Sequence, residues 1–220
     1  MVPWKTQEVR IDAGGVSLPG DLVLPASPLG LVVFAHGSGS SRLSPRNRYV
    51  AGVLNRAGLA TLLFDLPTPS EDRDYQTRFD IPRLAGRLAG ACGWVAKRAD
   101  LSALPLGLFG ASTGAAAALI AAADLGGAVR AVVSRGGRPD LAPPEALERV
   151  SAPTLFIVGA KDTEVLALNR RAWRHLRCEK ALEIIPGATH LFEEPGTLEL
   201  AAHAARDWLS AKFSFRPVPL

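Results

Sequence analysis

Short, unbroken apolar runs punctuate the chain: LVVFA (31–35), ATLLF (60–64), LGLF (106–109), AVVS (131–134), TLFIVG (154–159) and LEIIP (182–186). Runs of this length without alternation predict strands buried on both faces, as in a parallel sheet enclosed by helices. The segment VSLPGDLVLP (16–25) alternates instead, which predicts a strand with one buried side, closed by Pro25. Its expected antiparallel partner is 8–12, across a turn at Gly14 and Gly15. Between the runs, helical spacing predicts helices over 48–56, 81–98, 113–123, 165–176 and 198–212. Asp80 is placed to cap the second of these, with Pro82 in its first turn, and Gly58 to stop the first. Strand–helix alternation with short connections predicts an α/β fold with a doubly wound sheet, in one domain over 1–220. The first few residues and the tail FSFRPVPL (213–220) are expected to be loose ends, since two prolines forbid further helix.

Composition agrees with a core of that size. Of 220 residues, 48% are hydrophobic and 21% charged, which is ordinary for a globular protein. The net charge of +4 comes from scattered arginines (Arg46, Arg48, Arg73, Arg87, Arg98, Arg170, Arg171), and aromatics are only 6%, so no nucleic-acid footprint is expected. Cys92 and Cys178 have no partner at disulfide or metal-ligand spacing and are expected to pack as small hydrophobes. MVPWKTQEVR lacks the apolar stretch of a signal peptide, and the longest apolar run, 115–123, is too short to span a bilayer. The expectation is a cytoplasmic protein with no membrane or nucleic-acid partner, no metal and no cofactor.

In an open parallel sheet, ligands bind beyond the carboxyl ends of the strands. Polar groups from four separate stretches fall there: His36 and Ser38 in AHGSGS, Ser112 in GASTG, Asp162 in GAKDTE and His190 in GATHLF. Gly110–Ala111–Ser112–Thr113–Gly114 matches G-x-S-x-G between a strand and a helix, the context of a nucleophile elbow. Ser112 as a plain helix cap would explain the serine but neither glycine. A serine hydroxyl needs a base, and the base needs a group that fixes its tautomer. Ser112, Asp162 and His190 supply these in the hydrolase chain order. Asp140 and Glu164 are the rival acids; Asp162 is preferred because it opens a loop straight after a strand, whereas Glu164 suits a helix start. His175 and His203 fall in helical patterns away from the strand ends. The Thr113 N–H, next after the nucleophile, is the expected oxyanion donor. The loop GSGSS lacks both the Walker lysine and the G-x-G-x-x-G spacing of a phosphate cradle.

Together HGSG, GASTG, GAKD and GATH resemble the α/β-hydrolase family, and within it the small dienelactone-hydrolase-like group, from about residue 16 to 209. The resemblance implies a mostly parallel eight-stranded sheet with helices on both faces and hydrolysis of a small-molecule ester or lactone without a cofactor. It implies the Ser38 N–H as second oxyanion donor, with His36 orienting that loop rather than acting as a base. Dienelactone hydrolases proper carry cysteine as nucleophile; here the residue is serine. No large cap domain is expected, because DLPTPSEDRDYQTRFD (65–80) is a charged, proline-bearing loop. Acyl transfer or peptidase activity by the same triad is the close alternative, and a non-catalytic ligand-binding relative the remote one. In SRGGRPD (134–140), Arg135 and Arg138 follow a strand on the same edge and are candidate anchors for an acidic substrate.

Overall fold

A computed structural model describes residues 4–214. Strands β1 (Trp4–Asp12) and β2 (Ser17–Pro25) form the antiparallel hairpin, with Asp12 opposite Ser17. Then follow β3 (Leu31–Ala35), β4 (Ala60–Phe64), β5 (Leu106–Ala111), β6 (Val129–Arg135), β7 (Thr154–Gly159) and β8 (Lys180–Ile185). The eight make one sheet in the order β1-β2-β4-β3-β5-β6-β7-β8. Only β2 runs against the others: it pairs antiparallel with β1 and β4, and every other pairing is parallel.

The continuous apolar runs divide between two cores because successive side chains in a strand point to opposite faces. Val33 and Leu108 face one core with α2 (Ile81–Ala96), α3 (Thr113–Leu125), α4 (Pro144–Arg149) and α5 (Thr163–Trp173). Val32, Phe34, Phe109 and Ile157 face the other, under α1 (Pro45–Arg56) and α6 (Thr197–Ser214). The rings of Phe34 and Phe109 stack there at 4.7 Å, and both are buried. On the opposite face, Ala115 to Ala118 are all buried. Their small side chains let α3 lie close to the sheet, and an added methylene or two would cost about 1–3 kcal/mol through overpacking.

Helix ends agree with the local signals. The Asp80 side chain accepts from the Arg83 N–H, and Gly58 takes φ 82 after α1. Three expectations need adjusting. Helix α1 begins three residues earlier than its apolar period suggests, because Ser44 caps it and Pro45 supplies a preset first φ. Helix α4 has only six residues and starts at a proline pair, too short to show a period. Phe213 and Ser214 are not loose: they complete α6, since the Phe213 ring is buried in space left by Gly30 and Gly107. The rest of the tail, 215–220, and the first three residues lie outside the described residues. The 65–80 segment carries only two single 3₁₀ turns and no cap-forming helix. Among the described residues no helix is long and apolar enough to cross a membrane.

Candidate active site

Strand β5 ends at Ala111, and the next residue, Ser112, has φ 51 and ψ −124 before α3 begins at Thr113. A non-glycine residue in that region costs on the order of 1–3 kcal/mol and persists only where its surroundings enforce it. The enforcement is visible on both sides. The Ser112 N–H donates to the Arg135 carbonyl at 3.2 Å, and the Ser112 carbonyl accepts from the N–H groups of Ala115 and Arg138, each at 3.0 Å. A Cβ on Gly110 would lie 2.6 Å from the Gly114 carbonyl oxygen, and one on Gly114 would lie 2.5 Å from the His36 carbonyl oxygen. Both motif glycines are therefore required by close packing of strand on helix. The Ser112 side chain does not cap α3.

Asp162 follows β7 and immediately precedes α5, yet it too makes no capping bond. Its Oδ2 lies 2.7 Å from Nδ1 of His190, on the loop after β8. Asp140 is taken by Arg138, whose Nε and Nη2 donate to its two carboxylate oxygens at 2.8 Å each. Glu164 lies in the first turn of α5, and among the described residues Asp162 supplies the carboxylate bound to His190. Ser112 and His190 line one cleft of about 220 Å³, together with Gly37, Ser38, Arg46 and Arg135. Among the described residues no hydrogen bond joins Ser112 Oγ to His190. His175, in the turn after α5, and His203, on α6, do not line this cleft.

His36 ends the backbone path of β3 and is nearly buried. Its Nε2 accepts from the Leu66 N–H at 3.0 Å, so its Nδ1 is the protonated nitrogen and donates to the Gly37 carbonyl at 2.9 Å. Burial lowers its pKa below the ordinary histidine value, against smaller opposing effects of the Gly37 carbonyl and of Asp65 and Asp72. Both ring nitrogens are spent on backbone, which ties the 36–40 loop to the start of the 65–80 segment. In that loop the Ser38 N–H donates to Thr113 Oγ1 at 2.8 Å. The Thr113 N–H, first in its helix, has no intrahelical acceptor.

The two candidate arginines separate. Arg138 is paired with Asp140 and does not line the cleft, whereas Arg135 lines it and is 7% exposed. Its Nη2 donates to Asn47 Oδ1 at 3.2 Å, and its guanidinium lies 5.6 Å from the centre of the Phe192 ring. Burial, with the nearby Arg46 charge adding to it, pushes its pKa down to about 10, so it remains a cation at neutral pH. Arg46 and Asn47, at the start of α1, were not singled out by any local motif; only the packing of α1 against the strand ends brings them here. Cys92 is buried, which pushes its thiol up to about 12 and leaves it a hydrophobe in the core.

Comparison with known proteins accords with this architecture. A family model described as an alpha/beta hydrolase domain matches residues 29–209. Two Mycobacterium tuberculosis proteins (strains CDC 1551 and H37Rv), each named "Putative phosphoribosyl transferase", are 59% identical over 206 residues. That alignment covers 94% of this chain and 46% of theirs, so the chain spans about half the length of these relatives. A crystal structure of a dienelactone hydrolase from Anabaena variabilis superposes with TM-score 0.91 at 54% identity, covering 94% of this chain and 98% of that one. Est1E from Butyrivibrio proteoclasticus has the same fold, at TM-score 0.81 and 16% identity, with 94% and 99% of the two chains covered. A strained serine between strand and helix, on an eight-stranded mostly parallel sheet, thus has both its sequence and its structural counterparts in one place: the chain belongs to the α/β-hydrolase family, among its dienelactone-hydrolase-like members.

Proposed function

We propose that this protein is a serine hydrolase of small esters or lactones, with Ser112 as nucleophile, His190 as base and Asp162 as its orienting acid. One observation carries the proposal: Ser112 is held in a costly backbone conformation, its hydroxyl unused for capping, in the cleft that also receives an Asp162-bound His190. With Nδ1 committed to Asp162, the His190 Nε2 is the free base. It takes the Ser112 proton as Oγ adds to the substrate carbonyl, then delivers that proton to the departing alkoxide as the acyl-enzyme forms. Water attacks the acyl-enzyme by the same route, with its proton passing to His190 and back to Ser112 Oγ, and the carboxylic acid leaves.

The negative oxygen of each tetrahedral intermediate needs donors set in place beforehand. The Thr113 N–H is one. The Ser38 N–H is the other, and it donates to the Thr113 hydroxyl at 2.8 Å. A charged oxygen is a stronger acceptor than a hydroxyl, so the developing oxyanion displaces Thr113 Oγ1 from this donor. A cleft of about 220 Å³ suits compact substrates. The transferase name of the mycobacterial relatives belongs to proteins of which this chain covers 46%, and the groups gathered here fit acyl rather than phosphoribosyl chemistry. A fluorophosphonate probe tests the assignment: it labels the native protein at Ser112 and leaves Ser112→Ala unlabelled. Absence of labelling in the folded native protein overturns it.

A further inference from the structure

Ser112 and His190 are both steadied by the turn that follows β6, residues 135–138. The Arg135 carbonyl accepts from the Ser112 N–H, and the Arg138 N–H donates to the Ser112 carbonyl, so the turn grips the strained residue at both of its peptide groups. Between these two points Gly136, at φ 51, donates its N–H to the Ile157 carbonyl at 2.8 Å and lines the cleft. Gly136 also backs the proposed base: a Cβ there would lie 3.1 Å from the His190 carbonyl oxygen and 3.7 Å from His190 Cε1. A shift of this turn therefore disturbs both partners of the proposed proton transfer.

One side chain holds the turn from α5. Asn169, 1% exposed, donates from Nδ2 to the Gly137 carbonyl at 2.9 Å and to the Val165 carbonyl at 2.8 Å. Two carbonyl oxygens at one end of its amide fix that end as the NH2 group. Helix α5 begins directly after Asp162, so one rigid element carries the proposed acid at its start and the anchor of the turn seven residues later, about 10 Å along the axis. As packing alone, asparagine is a poor choice there. It stands in the buried stripe of α5 between Val165 and Ala172, where an apolar residue is ordinary, and it is a weak helix former. Its Oδ1 is buried with no hydrogen-bond partner among the described residues, which is costly for a polar atom. The Ser134 hydroxyl, buried beside Gly137, is likewise unpartnered among the described residues, and a Cβ on Gly137 would collide with it. An apolar side chain at 169 would remove the unpaired Oδ1 and leave the Gly137 carbonyl unpaired instead, an exchange close to even for folding. It would not replace the bond that sets the turn.

We propose that Asn169 is a positioning residue for the Ser112–His190 pair, acting through the Gly136–Gly137 turn that its amide holds. It does not line the cleft, so it works on the alignment of nucleophile and base and not on the substrate. The inference rests on the serine-hydrolase reading and adds to it a residue outside the triad and the oxyanion donors.

Its test compares the native protein with Asn169→Asp, which keeps the shape, and Asn169→Leu, which keeps only the bulk. Steady-state kinetics on a small uncharged ester and the rate of fluorophosphonate labelling are measured for all three, with the melting temperature of each. Both variants are expected to lower kcat by about 10-fold or more with KM changed by less than about twofold, because misaligned groups are felt in the transition state. Labelling should slow in step, and the melting temperature of Asn169→Leu should stay near the native one. The aspartate variant carries a signature of its own. Its protonated carboxyl has an O–H to give the Gly137 carbonyl, and its ionised form has none. Burial raises the pKa of such a carboxyl, so kcat relative to native should recover as the pH falls from about 8 to about 6, while the ratio for Asn169→Leu stays flat. The Arg138–Asp140 pair, Glu164 and His190, the charged or titrating groups on the neighbouring elements, are common to all three proteins. A native protein that neither cleaves esters nor labels overturns the hydrolase reading and this inference with it. A native protein that labels, beside folded variants that label and turn over at the native rate or lose only in KM, overturns the positioning role and leaves the hydrolase intact. Failure of both variants to fold between about pH 6 and 8, the span of the kinetic test, makes Asn169 purely structural and overturns it equally.

Discussion

Among the described residues, four α-helices start just after a serine or an aspartate, and they do so in two different ways. Ser44 and Asp80 cap α1 and α2, accepting from the N–H groups of Asn47 at 3.3 Å and Arg83 at 3.1 Å. Ser112 and Asp162 occupy the same position before α3 and α5 and cap nothing. A missing cap forgoes roughly 1 kcal/mol of helix stability. At Ser112 the forgone bond comes on top of backbone strain. Both uncapped positions lie at the carboxyl edge of the sheet, and one of the freed side chains is already spent on His190. Residues chosen from the same chemical set thus stabilise the fold at two entrances and are withheld from it at the other two, where the proposed chemistry needs them.

The comparison breaks first at Ser112. Ser112→Ala is expected to lower kcat for a good ester substrate by about 10³-fold or more, since a triad acts as a unit. Its unfolding midpoint in urea should stay close to that of the native protein, because no cap is lost. A drop in stability like that of a cap mutant, with activity retained, would show that Ser112 is structural after all. Asp162→Asn should lower kcat by about 10²-fold or more with KM little changed, since an amide no longer fixes the tautomer of His190. Asp140→Asn, which touches Arg138 instead, should be mild in steady-state kinetics. The reverse ranking would move the orienting acid to the end of the preceding strand.

One histidine extends the contrast. His36 spends both nitrogens on backbone, and the fold holds its pKa down. Below the unfolded value of about 6.5, the unfolded chain binds a proton that the folded state refuses, so stability falls with falling pH until the folded value is passed. One such proton changes stability by at most about 1.4 kcal/mol per pH unit. Replacing it by glutamine should remove that part of the pH dependence, measured as urea midpoints between pH 7 and 5. A slope identical in His36→Gln would assign it to other groups. The smallest effects belong to the true caps: Ser44→Ala and Asp80→Ala should each cost about 1 kcal/mol of stability. For Asp80→Ala, ester turnover should be unchanged. Loss of turnover there would blur the two classes of helix entrance.

Much of this was legible along the chain because it rests on local rules. Unbroken apolar runs such as LVVFA and TLFIVG read as strands buried on both faces, and their alternation with helices restricts the topology. Asp80, Pro82 and Gly58 act through neighbours within four residues. GASTG carries its own steric logic. By contrast, α4 was hidden by its six-residue length, and Phe213 looked like tail because nothing local says that Gly30 and Gly107 leave room for its ring. The hydroxyl of Thr113 on the Ser38 N–H was equally invisible, since 75 residues separate the partners.

The segment SRGGRPD marks the boundary between the two kinds of information. Read along the chain, Arg135 and Arg138 are equivalent: each is a loop arginine beside a glycine, with an aspartate nearby. Sequence by itself determined the strands, the elbow and the chain order of the proposed nucleophile, acid and base, because steric and periodic constraints act between near neighbours. Tertiary structure decided which arginine is used up and which is not. Arg138 reaches Asp140 two residues on, while Arg135 is enclosed by Asn47 from α1 and Phe192 from the His190 loop, residues 88 and 57 positions away. Burial and charge pairing are properties of what surrounds a side chain in space, so it is evident only once the strands have come together that Arg135 is buried without a carboxylate partner among the described residues.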